Sequence, residues 1–177
     1  MKQASKKLAP PTPSPGLDAF FRRRDDAKRR TARTSLATAS GPYPGDFTGL
    51  PDLTYDPHPN RLPDPGEVVW AWVPFEDDVT HGKDRPVLII GRESVKPVAW
   101  LLGLPLSSVD HDDARPDAKQ HWESIGRGVW DAKARESFVH LDRIIRVDPR
   151  RVRRIGGQVA EDIFWAVANC LRRYRGR

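Results

Sequence analysis

Two different patterns of apolar and polar positions divide the chain near residue 66. From Gly66 onward, apolar residues gather in short runs of the kind that strands bury. "EVVWAWV" (67–73) predicts a strand with large residues on both faces. "PVLIIGR" (86–92) is continuous enough to be buried on both sides, with Pro86 as its first residue. "PVAWLLGLPLS" (97–107) predicts a third strand, with Gly103 as a bulge or bend. "HWESIGRGVW" reads as a short irregular pair, "ESFVHLDRIIRVD" as one further strand and "DPRRV" as the turn after it. "AEDIFWAVANCLRRY" is a closing helix, because Ile163, Phe164, Val167, Cys170 and Leu171 recur at helical spacing. Its last turn is cationic, where the helix dipole favours positive charge. Short strands around one core, closed by a C-terminal helix, predict a mainly β (α+β) fold, a small, strongly curved antiparallel barrel.

The first 63 residues follow a different rule. Most of the 17 prolines fall before residue 66. "KKLAPPTPSPG" cannot hold a helix or a ladder. "LDAFFRRRDDAKRRTART", started by Asp18, predicts a short amphipathic helix over about 17–34 whose apolar side is too small to fold alone. Residues 1–63 are therefore expected to be a basic, Pro-rich, largely irregular extension that drapes over something or stays mobile, and 64–177 the barrel domain.

Composition narrows the function only modestly. Lysine plus arginine exceed aspartate plus glutamate by 30 to 24, a balance that suits a polyanionic partner without requiring one. The single Cys170 excludes an intrachain disulfide and a cysteine-rich zinc site, and its helical apolar setting reads as small core packing. His111, Asp112, Asp113 and His121 fit no metal-ligand spacing, so no metal and no cofactor are expected. No run approaches the roughly 18 apolar residues of a membrane span, and no apolar leader opens the chain. A cytoplasmic protein is the expectation.

The segments "PGEVVWAWVPFEDD…GKDRPVLIIGRE", "LPLSS" and "SFVHLDRIIRVDPRRVRRIGGQVAEDIFWAV" resemble, in this order and at similar spacing, the MazF/PemK family of toxin–antitoxin endoribonucleases. The resemblance covers about Gly66 to Leu171. It implies an SH3-like barrel, a homodimer, metal-independent cleavage of single-stranded RNA, and silencing by a cognate antitoxin. Against that pattern, Arg85 matches the arginine of the family's Arg-Pro motif and takes a transition-state-stabilising role. The chemistry suits it: attack by a ribose 2′-hydroxyl builds a phosphorane with extra negative charge, and a planar guanidinium held rigid by Pro86 answers that charge. The plain alternative is a structural ion pair from Arg85 to Asp84 or Glu67.

Pro105-Leu106-Ser107 stands where the family carries a Pro-x-Thr ending. The hydroxyl survives at Ser107, with Ser108 as its fallback, but the methyl that restricts the rotamer is gone. The family's Arg-Cys-Asp triplet aligns on His140-Leu141-Asp142, so Asp142 matches the acid and His140 replaces an arginine. Two residues apart in a strand, His140 and Asp142 are expected on one face, where an imidazole and a carboxylate can perform general acid–base chemistry. The bland alternative is the solvent face of an alternating strand. His81 and Lys83, in the polar loop before Arg85, are the remaining candidates for contact with RNA phosphates. Among the six tryptophans, any exposed ring would offer a stacking platform for a base. Two functions are carried forward: the toxin-type endoribonuclease, and a binding module on the same barrel without catalysis, including a module that poisons DNA gyrase as some relatives of this fold do.

Overall fold

The computed structural model describes residues 43–60, 62–95, 98–109 and 121–176, all within one compact unit, Pro42–Arg177. The expected helix over 17–34 lies outside the described residues. Among the described residues, seven strands and one α-helix follow in order: β1 Glu67–Pro74, β2 Gly82–Val95, β3 Val98–Ser107, β4 Trp122–Gly126, β5 Ser137–His140, β6 Ile145–Val147, β7 Arg154–Gln158 and α1 Glu161–Arg175. The sheet is antiparallel, ordered β4-β5-β3-β2-β1-β7, with β6 added beside β3. This is the curved antiparallel fold with a C-terminal helix that the apolar runs predict.

Alternation along the central strands feeds two cores. Val68, Leu88, Leu102 and Leu104 face one way and pack with Phe164, Val167 and Leu171 of α1. Val69, Ala71, Val87, Ile89 and Leu101 face the other and close on Ile145 and Val147. The sheet therefore buries both faces, as the unbroken run in β2 requires. Each fully buried aliphatic or aromatic side chain contributes about 1.5–3 kcal/mol.

Three details depart from the expected strands. β2 begins at Gly82, so Pro86 lies inside it, opposite Trp70 of β1. The ladder to β3 starts only at Val87↔Pro105, so Gly82–Pro86 is an edge on that side, where a missing N–H is tolerated. The bulge expected at Gly103 falls on the opposite strand, between Ile89 and Gly91 of β2. An additional strand, β7, follows the turn at Pro149–Arg151, because "RIGGQ" finds the free edge of β1.

The single strand expected over 136–148 is broken in two. Leu106 pairs with Val139 of β5, and Gly103 pairs with Ile145 of β6. Six steps of chain join Val139 to Ile145, while three join their partners on β3, so three residues are in excess. They form the bend at Leu141–Arg143. His140 and Asp142 consequently do not share a strand face; β5 ends at His140 and Asp142 lies in the bend.

Residues 43–63 are built into the barrel unit, so the compact unit starts about twenty residues before the position expected from composition. Phe47 N–H donates to the Ile144 carbonyl (2.7 Å) and Thr54 N–H to that of Ile90 (3.1 Å). Leu53 enters the main core at 8 % exposure. The Tyr55 hydroxyl donates to the Val159 carbonyl (2.9 Å) and its ring packs on Phe164 at 5.2 Å. Gly66, at φ +99°, gives that ring its room: a Cβ there would stand 2.7 Å from it. Prolines that forbid regular structure do not forbid a strap, because its few free N–H groups find strand carbonyls.

Leu53→Ala is expected to lower unfolding stability by about 2–5 kcal/mol, the usual range for a core leucine. Urea denaturation of the full chain checks this; an unchanged midpoint would mean the strap is not part of the cooperative unit.

Candidate active site

β2 and β3 part after Val87↔Pro105, and β5 joins β3 at Leu106↔Val139. A half-open cleft of about 300 Å³ lies at that fork. Arg85 enters from the edge part of β2, Pro105 from β3, and Trp122 and His140 from β4 and β5. Arg143 comes from the bend, and Pro74, Phe75, Glu76 and Asp77 form a rim from the end of β1 and its loop.

Arg85 is one of two half-buried cations that line this cleft. Neither alternative partner reaches it: Asp84 pairs with Arg153, and Glu67 accepts the backbone N–H of Asp64 (2.9 Å). Among the described residues Arg85 has no hydrogen-bonded or ion-paired acceptor. Burial, and then the charge of Arg143, press its pKa below the ordinary arginine value. It stays charged, since arginine is protonated at any accessible pH. An uncompensated guanidinium facing a cleft is an anion site in search of its anion.

Arg143 is the opposite case. Its Nε–H donates to Asp46 Oδ2 (2.7 Å) and its Nη2 to Asp46 Oδ1 (3.2 Å), while Nη1 donates to the Pro74 carbonyl (3.1 Å). Glu76 Oε1 lies 3.4 Å from Nε. Burial alone would depress its pKa, but Asp46, followed by Glu76, raises it instead. Nothing in the local sequence assigns this arginine a role. The signal lies in tertiary structure, because Asp46 is 97 residues away.

His140 stands in the cleft wall with its ring stacked on Trp122, centroids 4.3 Å apart and planes 17° from parallel. Its Nε2 lies 3.4 Å from Asp142 Oδ2. Burial lowers its pKa below 6.5, and the carboxylates of Asp142 and Glu76 only partly offset that. The imidazole is therefore neutral at neutral pH and able to accept a proton.

Asp142 sits behind this wall and does not line the cleft. Its Oδ2 also meets His121 Nδ1, and its carbonyl accepts from Arg175 in the last turn of α1. The Tyr174 hydroxyl closes the group, 3.4 Å from His121 Nδ1. Burial raises the pKa of Asp142, yet the hydrogen bonds of Tyr174 and His121 and the nearby imidazole charges bring it below the ordinary value. His121, considered from sequence only as part of an unconvincing metal cluster, is thus the second imidazole on this carboxylate. His111, Asp112 and Asp113 lie outside the described residues.

The other sequence candidates are not among the residues that line the cleft. Ser107 ends β3 one pleat beyond Pro105, and its Oγ accepts the Val109 N–H (3.1 Å), a strand-ending turn; Ser108 follows just outside the strand. His81 turns to its own loop, with Nδ1 2.6 Å from Asp78 Oδ2. The Thr80 hydroxyl, His81 and the Thr80 N–H hold the Asp78 carboxyl at about 2. Lys83 is exposed on β2, opposite Val73, and outside the cleft lining. Of the tryptophans, Trp100 and Trp130 are buried, and Trp122 is the ring that faces the cleft.

A profile of the family described as PemK-like, MazF-like toxin of type II toxin-antitoxin system matches residues 64–174. The chain belongs to this family. Its match includes Arg85, Pro105, His140, Asp142 and Arg143, while Asp46 lies before it. No curated protein matches the chain at a significant level. Among solved structures it is similar to a chain in the crystal structure of MazE-MazF (form II) from Deinococcus radiodurans. The identity is 18 %, the TM-score 0.45, and the alignment covers 66 % of this chain and 98 % of that one.

The electrostatics of this family member carry a pH signature. His140 is depressed when folded, so as pH falls below about 6.5 the unfolded chain binds its proton first and stability declines. Asp142 is depressed too, so its contribution persists until pH drops below 3.8 and is then lost. Both act in the same direction, in two separate windows. In an NMR titration the His140 midpoint should fall below 6.5, and Asp142→Asn should push it lower still by removing the favourable carboxylate. A midpoint raised by that substitution would contradict the assignment of forces.

Proposed function

We propose that the protein is a toxin-type, metal-independent endoribonuclease that cuts single-stranded RNA at short sequence motifs in the cytoplasm. Family membership supports this reading, as does one observation in particular: Arg85, a desolvated guanidinium with no acceptor among the described residues, shares a cleft with a neutral imidazole. A homodimer and neutralisation by a cognate antitoxin belong to the same proposal.

In this scheme a phosphodiester enters the cleft with a non-bridging oxygen on Arg85. His140 takes the proton of the adjacent 2′-hydroxyl as that oxygen attacks phosphorus. The phosphorane's developing charge falls on Arg85, whose donors are already oriented by the edge of β2 and need no reorganisation. The P–O5′ bond then breaks, and the 5′-oxygen takes a proton from water at the open side. The products are a 2′,3′-cyclic phosphate and a 5′-hydroxyl. Asp142 acts through His140: it orients the ring and stabilises the imidazolium formed during attack. The Ser107 hydroxyl already accepts from Val109, so its O–H remains to donate to the phosphate. Trp122, whose ring backs His140, gives a flanking base a stacking surface. His81, Lys83 and Ser108 have no step in the reaction.

Purified protein incubated with mixed-sequence RNA in EDTA should yield discrete cuts with cyclic phosphate ends. Arg85→Ala should reduce kcat/KM by about 10²–10³-fold, the usual effect of removing a preorganised oxyanion donor. Arg85→Lys should recover little, since a point charge cannot replace the fork. His140→Ala should cost about 10²-fold or more. Intact RNA with measurable binding would overturn the nuclease reading in favour of a binding module.

A further inference from the structure

The strap that precedes the family match meets a cleft-lining arginine, Arg143, with the carboxylate of Asp46, and both of its oxygens are engaged. Asp46 Oδ2 accepts Arg143 Nε–H (2.7 Å); Oδ1 accepts Arg143 Nη2–H (3.2 Å) and the Tyr43 hydroxyl (2.5 Å). The backbone around it is fixed as firmly. Arg146 Nη1 donates to the carbonyls of Gly45 (2.9 Å) and Asp46 (3.0 Å), while its Nε and Nη2 fork onto Glu93 (2.6 and 3.0 Å). Gly45 adopts φ +91°, a left-handed conformation that lets the strap turn here, and Phe47 lies beneath the Arg146 guanidinium at 5.5 Å. So much anchoring on one short irregular segment goes beyond what covering a core requires.

Arg143 passes that order on. Its side chain is only 13 % exposed, and Nη1 holds the Pro74 carbonyl, where β1 gives way to the loop that forms the cleft rim. Glu76 of that rim lies against the same guanidinium. With Asp46 in place, the charge of Arg143 is answered by protein and Arg85 is left as the cation that meets the substrate. Without it, two guanidiniums would compete for one anion across a loosened rim.

We propose that Asp46 is a positioning residue of the active site: it holds Arg143 so that this arginine braces the loop at Pro74 and leaves Arg85 as the single cation that receives the phosphate. The residue acts through Arg143 and touches no reacting atom. The proposal rests on the nuclease reading for its kinetic consequences but not for its structural ones.

The test uses the full chain with Asp46→Asn, which keeps the shape and removes the charge, and Asp46→Glu, which restores the charge. In Asp46→Asn, amide hydrogen exchange over residues 75–81 should accelerate while that of the β3 core amides does not. Cleavage should show kcat reduced about tenfold, as misplacement at a site produces, with KM unchanged or lower because Arg143 now binds phosphate in the ground state. Binding of a 2′-deoxy single-stranded oligonucleotide, which cannot be cleaved by this route, should gain about 0.7 in the slope of log affinity against log salt, one additional phosphate contact. Asp46→Glu should restore kcat at least in part. Unchanged exchange in the loop together with an unchanged salt slope would overturn the proposal. If the wild-type protein cuts no RNA, the nuclease reading falls alone, and loop exchange still decides whether Asp46 braces the rim.

Discussion

Three surplus residues between two ladders set the geometry of this protein. β3 pairs along one edge with β5 and then with β6, and the connecting chain is longer than its partner by the length of Leu141–Arg143. A regular strand there would have alternated His140, Asp142 and their neighbours between core and solvent. The bend does something else: Leu141 still goes into the core, Asp142 turns toward α1, and Arg143 turns toward the cleft. Bulges near sites commonly re-aim side chains in this way. Here one short bend supplies the end of a wall, the carboxylate behind it and the brace of the rim.

The cleft's chemistry follows from an imbalance of partners. Arg143, Arg146, Arg151 and Arg175 are half-buried like Arg85, and each has a carboxylate or carbonyl to meet. Arg85 has none among the described residues. A fold can carry a desolvated, unpaired cation only if the rest of the structure over-determines its place, and that is the role of β2, which is paired on one side and open on the other at this point. Pro86 holds the backbone extended there without losing a bond to β3. The neighbouring imbalance runs the other way: Asp142 serves two histidines and two residues of the last helical turn, so the C-terminal helix stabilises the group that backs His140.

Residues 43–63 show how an irregular, proline-rich segment joins the compact unit. Proline-rich sequence excludes helices and ladders, but it does not exclude attachment, because isolated N–H groups, one tyrosine and one leucine suffice to bind a strap to strands already formed. The strap binds at Ile144, Ile90 and Val159, all of them strand-end or edge positions with a carbonyl to spare. Its attachment to the site through Asp46 depends on pairing across 97 residues of chain, which no local pattern records.

What the sequence by itself determined was most of the β runs, the closing helix and the family. Those are local properties: side-chain period, proline and glycine positions, and motif order are all written in neighbouring residues. It misread the strand over 136–148 as continuous, since "FVHLDRIIRV" alternates well enough for an unbroken ladder and only the fixed registers on β3 expose the excess. It assigns no role to Arg143 or Asp46, because distance along the chain says little about distance across a cleft. Only the tertiary structure decided which arginine is neutralised and which is not. Charge compensation is a sum over everything packed nearby, and packing brings together residues that the chain keeps far apart.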